Sequence, residues 1–153
     1  MNRKATIYLD TSVPGAFLDP VDSPVYKTTI TFWEKVLPEY DIYIWELVTI
    51  EIADLKSVRK RRVVENLIKN FNVLEVSQDA AEVAQEYLKL LRIPERDALH
   101  VAIASVEGMD YLVTWNMRHL ARERTRRAVD YINLVLHLKR LVIYTPLDFI
   151  EEV

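Results

Sequence analysis

Residues 6–17, TIYLDTSVPGAF, join a short apolar run to a polar turn and set the pattern of the whole chain. The run Ile7-Tyr8-Leu9 ends abruptly at three oxygen-bearing side chains, Asp10, Thr11 and Ser12. A short continuous apolar run is typical of a strand buried on both faces, as in a parallel sheet. The polar residues that follow are therefore either the cap of the next helix or one wall of a functional site.

Short β-rich runs alternate with helical stretches along the chain. Strands are predicted at residues 5–9, 41–45, 71–76, 110–115 and 141–145. Helices are predicted at residues 24–37, 46–55, 56–70, 77–91, 94–108 and 122–140, with a last helical turn at 146–152. Strands separated by helices predict an α/β fold, in which helices cover both faces of a parallel sheet. Because the 153 residues contain no repeat or linker, we expect one domain over residues 1–153.

The composition excludes several kinds of site. The chain has no cysteine, so it has neither disulfides nor thiolate metal ligands, and three scattered histidines make a zinc site improbable. With only two glycines, Gly15 and Gly108, it contains no GxGxxG dinucleotide loop and no P-loop. The net charge of −3 means that a nucleic-acid partner would have to be bound by a local basic patch.

No segment is apolar for long enough to span a membrane, and the amino terminus enters the first strand too soon to accommodate a signal peptide. We therefore expect a cytoplasmic protein without a membrane partner.

Topology alone places several polar side chains at one edge of the predicted sheet. Ligands of parallel sheets bind at the carboxyl ends of the strands. Asp10 follows the first strand, and Thr114 and Asn116 follow the fourth. Crossover helices run antiparallel to the strands, so the first turns of the helices carrying Glu51 and Asp97 return to the same edge. These side chains, distant in sequence, are predicted to meet at one rim.

Glu51 gives the sharpest local signal. On a helical wheel it falls between Leu47 and Leu55, inside the apolar arc of its helix. Burial of an unpaired carboxylate is costly, so Glu51 must meet a cation or line a cavity. Asp97 is similar, because it begins a helix that is otherwise apolar nearly all round.

Each polar residue of the rim also has a simpler explanation when taken alone. Asp10 fits a turn cap, Asp97 a favourable charge at a helix start, Glu51 an ion pair and Asn116 a turn. Taken together, oxygen ligands without histidine or cysteine favour Mg²⁺ or Mn²⁺.

In this order, the segments IYLDTS, ELVTIEI, RDALHVAIA and YLVTWNMRHL resemble those of PIN-domain nucleases, over essentially the whole chain. This family includes the VapC-type toxins of VapBC toxin–antitoxin pairs, which cleave RNA using Mg²⁺ or Mn²⁺. The resemblance implies a three-layer α/β/α fold with a five-stranded parallel sheet of order 3-2-1-4-5. It also implies a metal-dependent endoribonuclease that hydrolyses RNA phosphodiester bonds, with an antitoxin protein as a partner and a homodimeric assembly.

Residue by residue, the resemblance implies four catalytic residues, Asp10, Glu51, Asp97 and Asn116. The three acids among them are the implied metal ligands, and the implied supporting hydroxyls are those of Thr11, Ser12 and Thr114. Asn116 stands where many members of the family have a fourth aspartate, so the number of metal ions stays open.

Two basic stretches are candidates for binding RNA phosphates. One is Arg59-Lys60-Arg61-Arg62, and the other runs from Arg118 to Arg127. The second begins next to Asn116, so Arg118 and Arg122 are the predicted phosphate contacts. A solvated helix face, or a surface that meets the antitoxin, explains the same charges.

Other functional classes fit less well. Haloacid dehalogenase-type phosphatases need a second aspartate two residues after the first, where this chain has Ser12. Receiver domains need paired acids before the first helix and a lysine at the last strand, and VIYTP offers no lysine. A third alternative stays open: a catalytically weak PIN fold that serves as an RNA-binding or protein-interaction module.

Overall fold

A computed structural model describes residues 3–150, and its centre is a five-stranded parallel sheet. The strands are β1 (Thr6–Leu9), β2 (Asp41–Trp45), β3 (Asn72–Leu74), β4 (Tyr111–Val113) and β5 (Val142–Tyr144). Their order is β3-β2-β1-β4-β5, and every neighbouring pair is parallel. The predicted fold class and strand order are therefore confirmed.

Helices form a layer on each side of this sheet. They are α1 (Ser12–Gly15), α2 (Pro24–Lys35), α3 (Glu46–Ala53), α4 (Val58–Ile68), α5 (Gln78–Leu90), α6 (Glu95–Val106) and α7 (Glu123–Val135). Helix α4 packs against α1 and α3, and α5 packs against α6 and α7. This is the arrangement that right-handed crossovers between parallel strands produce.

The core is built around β1 and α6. All four residues of β1 are buried, because the strand is covered on both faces. In α6 every residue from His100 to Ser105 is buried as well. Since β1 is central and paired with both β2 and β4, the residue that follows it, Asp10, lies at the middle of the carboxyl edge of the sheet.

Most predicted elements end one or a few residues earlier than the sequence pattern indicated, and three of these ends have a clear physical cause. Helix α2 stops at Lys35 instead of residue 37, because Pro38 cannot continue a helix, and a 3-10 turn, Leu37–Glu39, replaces its end. Strand β3 is limited to three residues, because it lies at the sheet edge and pairs only with β2, whose own last residue is Trp45.

Helix α7 ends at Val135, well before residue 140. His137 adopts a left-handed backbone conformation (φ 58°), and the Leu138 N–H donates to the carbonyl of Asn133 at 2.8 Å, which closes the helix end. The predicted last helical turn is a 3-10 turn, Pro146–Phe149, and its residues 151 and 152 lie outside the described range. Among residues 3–150 no helix has the length and apolarity needed to cross a membrane.

Candidate active site

Asp10 lies where the carboxyl ends of β1 and β4 meet. Its side chain is only 4% exposed. The Ser12 hydroxyl donates to Oδ1 at 2.5 Å, the Ser12 backbone N–H donates to the same oxygen at 3.1 Å, and the Thr114 hydroxyl donates to Oδ2 at 2.5 Å. Both carboxylate oxygens are thus held from two sides, by the turn after β1 and by the end of β4.

The hydroxyls that hold Asp10 are themselves fixed by the turn after β4. The Trp115 backbone N–H donates to Ser12 Oγ at 2.8 Å, and the Asn116 backbone N–H donates to Thr114 Oγ1 at 2.9 Å. Ser12 and Thr114 therefore hold the Asp10 carboxylate directly. The buried Oγ1 of Thr11, by contrast, has no hydrogen-bond partner among the described residues.

Burial raises the pKa of Asp10 from 3.8 to about 6. The hydrogen bonds from Ser12 and Thr114 oppose this rise, because they stabilise the charged form, whereas the negative charge of Asp97 adds to it. A buried carboxylate next to a second carboxylate is a position where a cation is favoured.

Asp97 lies in the first turn of α6 and faces the turn after β4. The amide nitrogen of Asn116 donates to Oδ2 of Asp97 at 3.2 Å, and Oδ1 of Asn116 accepts the His119 backbone N–H at 2.9 Å. Partial burial raises the pKa of Asp97, while His119, Asn116 and Arg96 act against that rise. In this arrangement Asn116 presents an N–H donor to the acid and turns its carbonyl oxygen towards His119.

Glu51 is held apart from the other two acids. It forms an ion pair with Arg96, whose side chain is 45% exposed, and it lines a cavity of about 250 Å³ together with Thr11 and Leu55. The helical-wheel pattern predicted that Glu51 would meet a cation or line a cavity, and in the structure it does both. The cation, however, comes from the first turn of α6, beside Asp97.

The carboxylates are of the chemical type that binds divalent cations, but the structure brings only some of them together. Asp10 and Asp97 offer carboxylate oxygens, the ligand type that a hard ion such as Mg²⁺ or Mn²⁺ prefers, and burial raises the pKa of both. Within residues 3–150, however, no three side chains of His, Cys, Asp or Glu approach closely enough to form a metal site. The pair of aspartates is therefore the candidate core of a metal site, and Glu51 would have to leave Arg96 to join it.

The two predicted RNA contacts between β4 and α7, Arg118 and Arg122, differ from one another. Arg118 is exposed and forms no ion pair within the described part of the chain. Arg122, in contrast, donates from Nε to Thr125 Oγ1 at 3.0 Å, and so it helps to build the turn before α7.

Sequence reasoning missed four residues around the acids. Arg96 neutralises Glu51, and His119 lies where its charge acts on Asp97. Beneath them, the Tyr8 hydroxyl bonds to Nδ1 of the buried His100 at 2.6 Å. The position of Arg96 beside Asp97 in a helix's first turn was the available signal, but a pairing across 45 residues cannot be read from spacing alone.

The family model of the PIN domain matches residues 7–124, which include every residue of this site. The chain belongs to the PIN-domain family. The resemblance of the four sequence segments is thereby confirmed. The match ends near the start of α7, so α7 and β5 complete the fold beyond it. No curated protein matches the sequence significantly.

Solved structures similar to this PIN domain include proteins of toxin–antitoxin systems. A FitAB complex bound to an IR36 DNA fragment matches with a TM-score of 0.63 and 17% identity, over 95% of this chain and 98% of that one. VapC20 from Mycobacterium tuberculosis, a sarcin–ricin loop cleaving toxin, has a TM-score of 0.55 and 20% identity, with coverages of 69% and 86%. VapBC2 from Rickettsia felis, bound to a promoter DNA fragment, has a TM-score of 0.54 and 14% identity, over 92% of this chain and 98% of that one. At these identities the likeness concerns the fold.

Proposed function

We propose that this PIN-domain protein is a metal-dependent endoribonuclease, and that it is the toxin of a toxin–antitoxin pair. The observation that carries the proposal is that Asp10, at the end of β1, and Asp97, in the first turn of α6, lie near each other at the carboxyl edge of the sheet. Burial, with a smaller contribution from the negative charge of Asp97, raises the pKa of Asp10 to about 6. Such a pair favours a divalent cation, and Mg²⁺ or Mn²⁺ matches its oxygen ligands.

When bound, the ion would polarise a phosphodiester oxygen and lower the pKa of a water molecule that attacks phosphorus. Asp10 and Asp97 would hold it, with Glu51 as a third ligand once separated from Arg96. Ser12 and Thr114 keep the Asp10 carboxylate in one orientation, which matters because positioning contributes much of the rate in phosphoryl transfer. The Asn116 amide orients Asp97 in the same way.

An antitoxin is the proposed protein partner, and a homodimer the proposed assembly. FitAB and VapBC2 were solved as complexes, and VapC20 is described as a toxin that cleaves the sarcin–ricin loop. The shared fold supports the same kind of partner here. RNA is the proposed substrate, and Arg118, in the turn between β4 and α7, is the residue of this stretch best placed to bind it.

The alternative is a PIN fold that binds RNA or protein with little catalysis. Two observations favour it: Glu51 is paired with Arg96, and Asn116 directs its N–H, not its oxygen, to Asp97. Both reduce the number of oxygen ligands that are free to hold an ion.

Cleavage of labelled single-stranded RNA, with EDTA and with Mn²⁺, separates the two functions. We expect cleavage only with Mn²⁺ and its loss in Asp10→Asn. Asp19→Asn is the matched control, because Asp19 is an exposed aspartate in the same part of the chain. Full activity in EDTA, or unchanged activity in Asp10→Asn, would exclude the proposed mechanism, and RNA binding without any cleavage would favour the binding module.

A further inference from the structure

The start of α4 carries a concentration of positive charge that the fold does not need. From Lys56 to Val64 the chain has five cations and no carboxylate. Positive charge at a helix N-terminus opposes the helix dipole, and neighbouring like charges repel. Ser57 already caps the helix, with its hydroxyl accepting the Lys60 backbone N–H at 3.3 Å. The cations therefore weaken α4 slightly, which is the kind of local conflict expected at a functional surface.

Only one of these cations has a structural partner in α4. Arg61 pairs with Glu65 at 3.5 Å and donates to the carbonyl of Leu55. Arg59, Lys60 and Arg62 are exposed, and none of them forms an ion pair within residues 3–150. These three residues are called the α4 basic patch below.

The α4 basic patch lies at the end of its helix that is nearest the site. Helix α4 ends at Ile68, just before β3 begins, so its first turn points back towards the carboxyl ends of the strands. Val64 of α4 lines the same cavity as Thr11 and Glu51, and α4 packs on α1, which begins two residues after Asp10. At a rise of about 1.5 Å per residue, the patch lies within about 10 Å of Val64 along the helix.

The arginines of the second basic stretch, Arg118 to Arg127, differ from the α4 basic patch in what they bond to. Arg122 donates to Thr125, Arg126 donates to the carbonyl of Ile143, and Arg127 pairs with Glu123. Most of its guanidinium groups therefore bind the protein itself, whereas the three groups of the α4 basic patch are open to a ligand.

We propose that the α4 basic patch binds the phosphates of the RNA strand on one side of the cleavage site. This inference rests on the proposed function, because an endonuclease cuts within a strand that must continue past the site on both sides. Guanidinium groups match phosphate oxygens in a two-pronged geometry, which suits Arg59 and Arg62, one turn apart on α4. The strand thus leaves the acids past Glu51 and crosses the start of α4.

The test compares two triple variants with the parent. Arg59→Gln/Lys60→Gln/Arg62→Gln removes the patch, and Lys4→Gln/Lys35→Gln/Lys69→Gln removes the same charge from exposed lysines near the amino ends of the strands. The affinity for a labelled single-stranded RNA is measured in EDTA at a series of KCl concentrations. Each phosphate contact contributes about 0.7 to the salt slope for single strands, so the patch variant should lose about 2 and the control little. Arg62→Gln alone should lose about 0.7.

Thermal melts check folding, and the patch variant should melt no lower than the parent, since its cations oppose the helix dipole. Equal salt slopes for the parent and the patch variant, or equal losses in both triple variants, would overturn the inference. So would an unchanged RNA slope combined with lost binding of poly-glutamate, which would identify an acidic protein partner instead. If Asp10→Asn abolishes cleavage but the patch variant binds RNA like the parent, this inference is wrong and the proposed nuclease stands. Binding that depends on α4 without any cleavage would overturn only the proposed nuclease.

Discussion

The side-chain amide of Asn116 donates a hydrogen bond to Oδ2 of Asp97 at 3.2 Å, and so it places a neutral group beside a partly buried carboxylate. Its other end accepts the backbone N–H of His119, which fixes the orientation of the amide. The acidic charge of the site is therefore limited to Asp10 and Asp97, with Glu51 neutralised by Arg96.

Asp97→Asn should stabilise the metal-free protein. The variant keeps the shape of the side chain and removes a negative charge that raises the pKa of Asp10. We expect a gain of about 1 kcal/mol in the free energy of unfolding at pH 7 in EDTA, after allowing for solvent screening. With Mn²⁺ the order should reverse, because the parent gains stability from binding and the variant gains less. If Asp97→Asn melts lower in EDTA and Mn²⁺ shifts both proteins equally, Asp97 serves only the start of α6.

Asn116→Asp should have the opposite effect. A carboxylate at this position would face Asp97 with like charge, so the metal-free protein should lose about 1 kcal/mol. The added oxygen ligand should at the same time tighten Mn²⁺ binding, measured by calorimetry. Asn70→Asp is the matched control, an exposed position just before β3. Equal effects of the two substitutions would mean that net charge, and not the site, is responsible.

Arg96→Gln should raise the affinity for Mn²⁺. The substitution releases Glu51 and removes a cation beside Asp97. Both side chains of the pair are partly exposed, so a gain of about twofold to fivefold is expected, in line with surface ion pairs. Calorimetric titration with Mn²⁺ measures it, and Arg92→Gln, which removes an exposed arginine four residues away, is the control. Unchanged affinity in Arg96→Gln would place Glu51 outside the metal site.

His100 should make stability fall in mild acid. Burial lowers the pKa of its imidazole from 6.5 to about 3, so the folded protein holds it neutral while the unfolded chain protonates it. A lowered histidine pKa means that the stabilisation is complete above pH 6.5 and is lost as the pH falls towards 3. At about 1.4 kcal/mol per pH unit, the loss between pH 6.5 and 5 is about 2 kcal/mol.

The comparison with His100→Gln isolates this effect, because glutamine does not titrate and can still bond to the Tyr8 hydroxyl. Asp10 acts in the opposite direction over part of the same range, since its raised pKa makes stability fall as the pH rises from 3.8 to about 6. The quantity to measure is therefore the difference in unfolding free energy between parent and variant, by urea denaturation in EDTA. As the pH falls from 6.5 to 5, the parent should lose about 2 kcal/mol of unfolding free energy relative to His100→Gln. A constant difference would show that His100 does not titrate in this way.

Tyr87→Phe should destabilise the layer formed by α5, α6 and α7. The Tyr87 hydroxyl donates to Oδ1 of Asn133 at 2.5 Å and contacts Ser105 Oγ at 3.0 Å, and all three residues are buried. Without the hydroxyl, the Asn133 oxygen loses its donor, which costs about 1 to 3 kcal/mol. Tyr131→Phe on α7 is the control, since Tyr131 is 60% exposed and should change stability little. Equal melting temperatures of the two variants would contradict this role.

Most of the fold could be predicted from the pattern of the sequence. Alternation of apolar strands and amphipathic helices, with Ser77 as the cap of α5 and Gly108 after α6, depends on residues close in sequence, so the elements could be predicted. The strand order was implied by the resemblance to PIN domains. Element ends were less predictable, because they depend on partners: β3 ends where β2 ends, and His137 ends α7 in a conformation that the sequence pattern does not show.

The sequence by itself determined that Asp10 and Asp97 would reach one edge of the sheet, because topology sends strand ends and helix starts there. Only the tertiary structure decided what each carboxylate meets. Glu51 pairs with Arg96 across 45 residues, and Asn116 turns its N–H to Asp97 because its oxygen is taken by His119. Such choices depend on the relative positions of side chains from separate elements, on distances of a few ångströms that helical and strand periodicity do not determine.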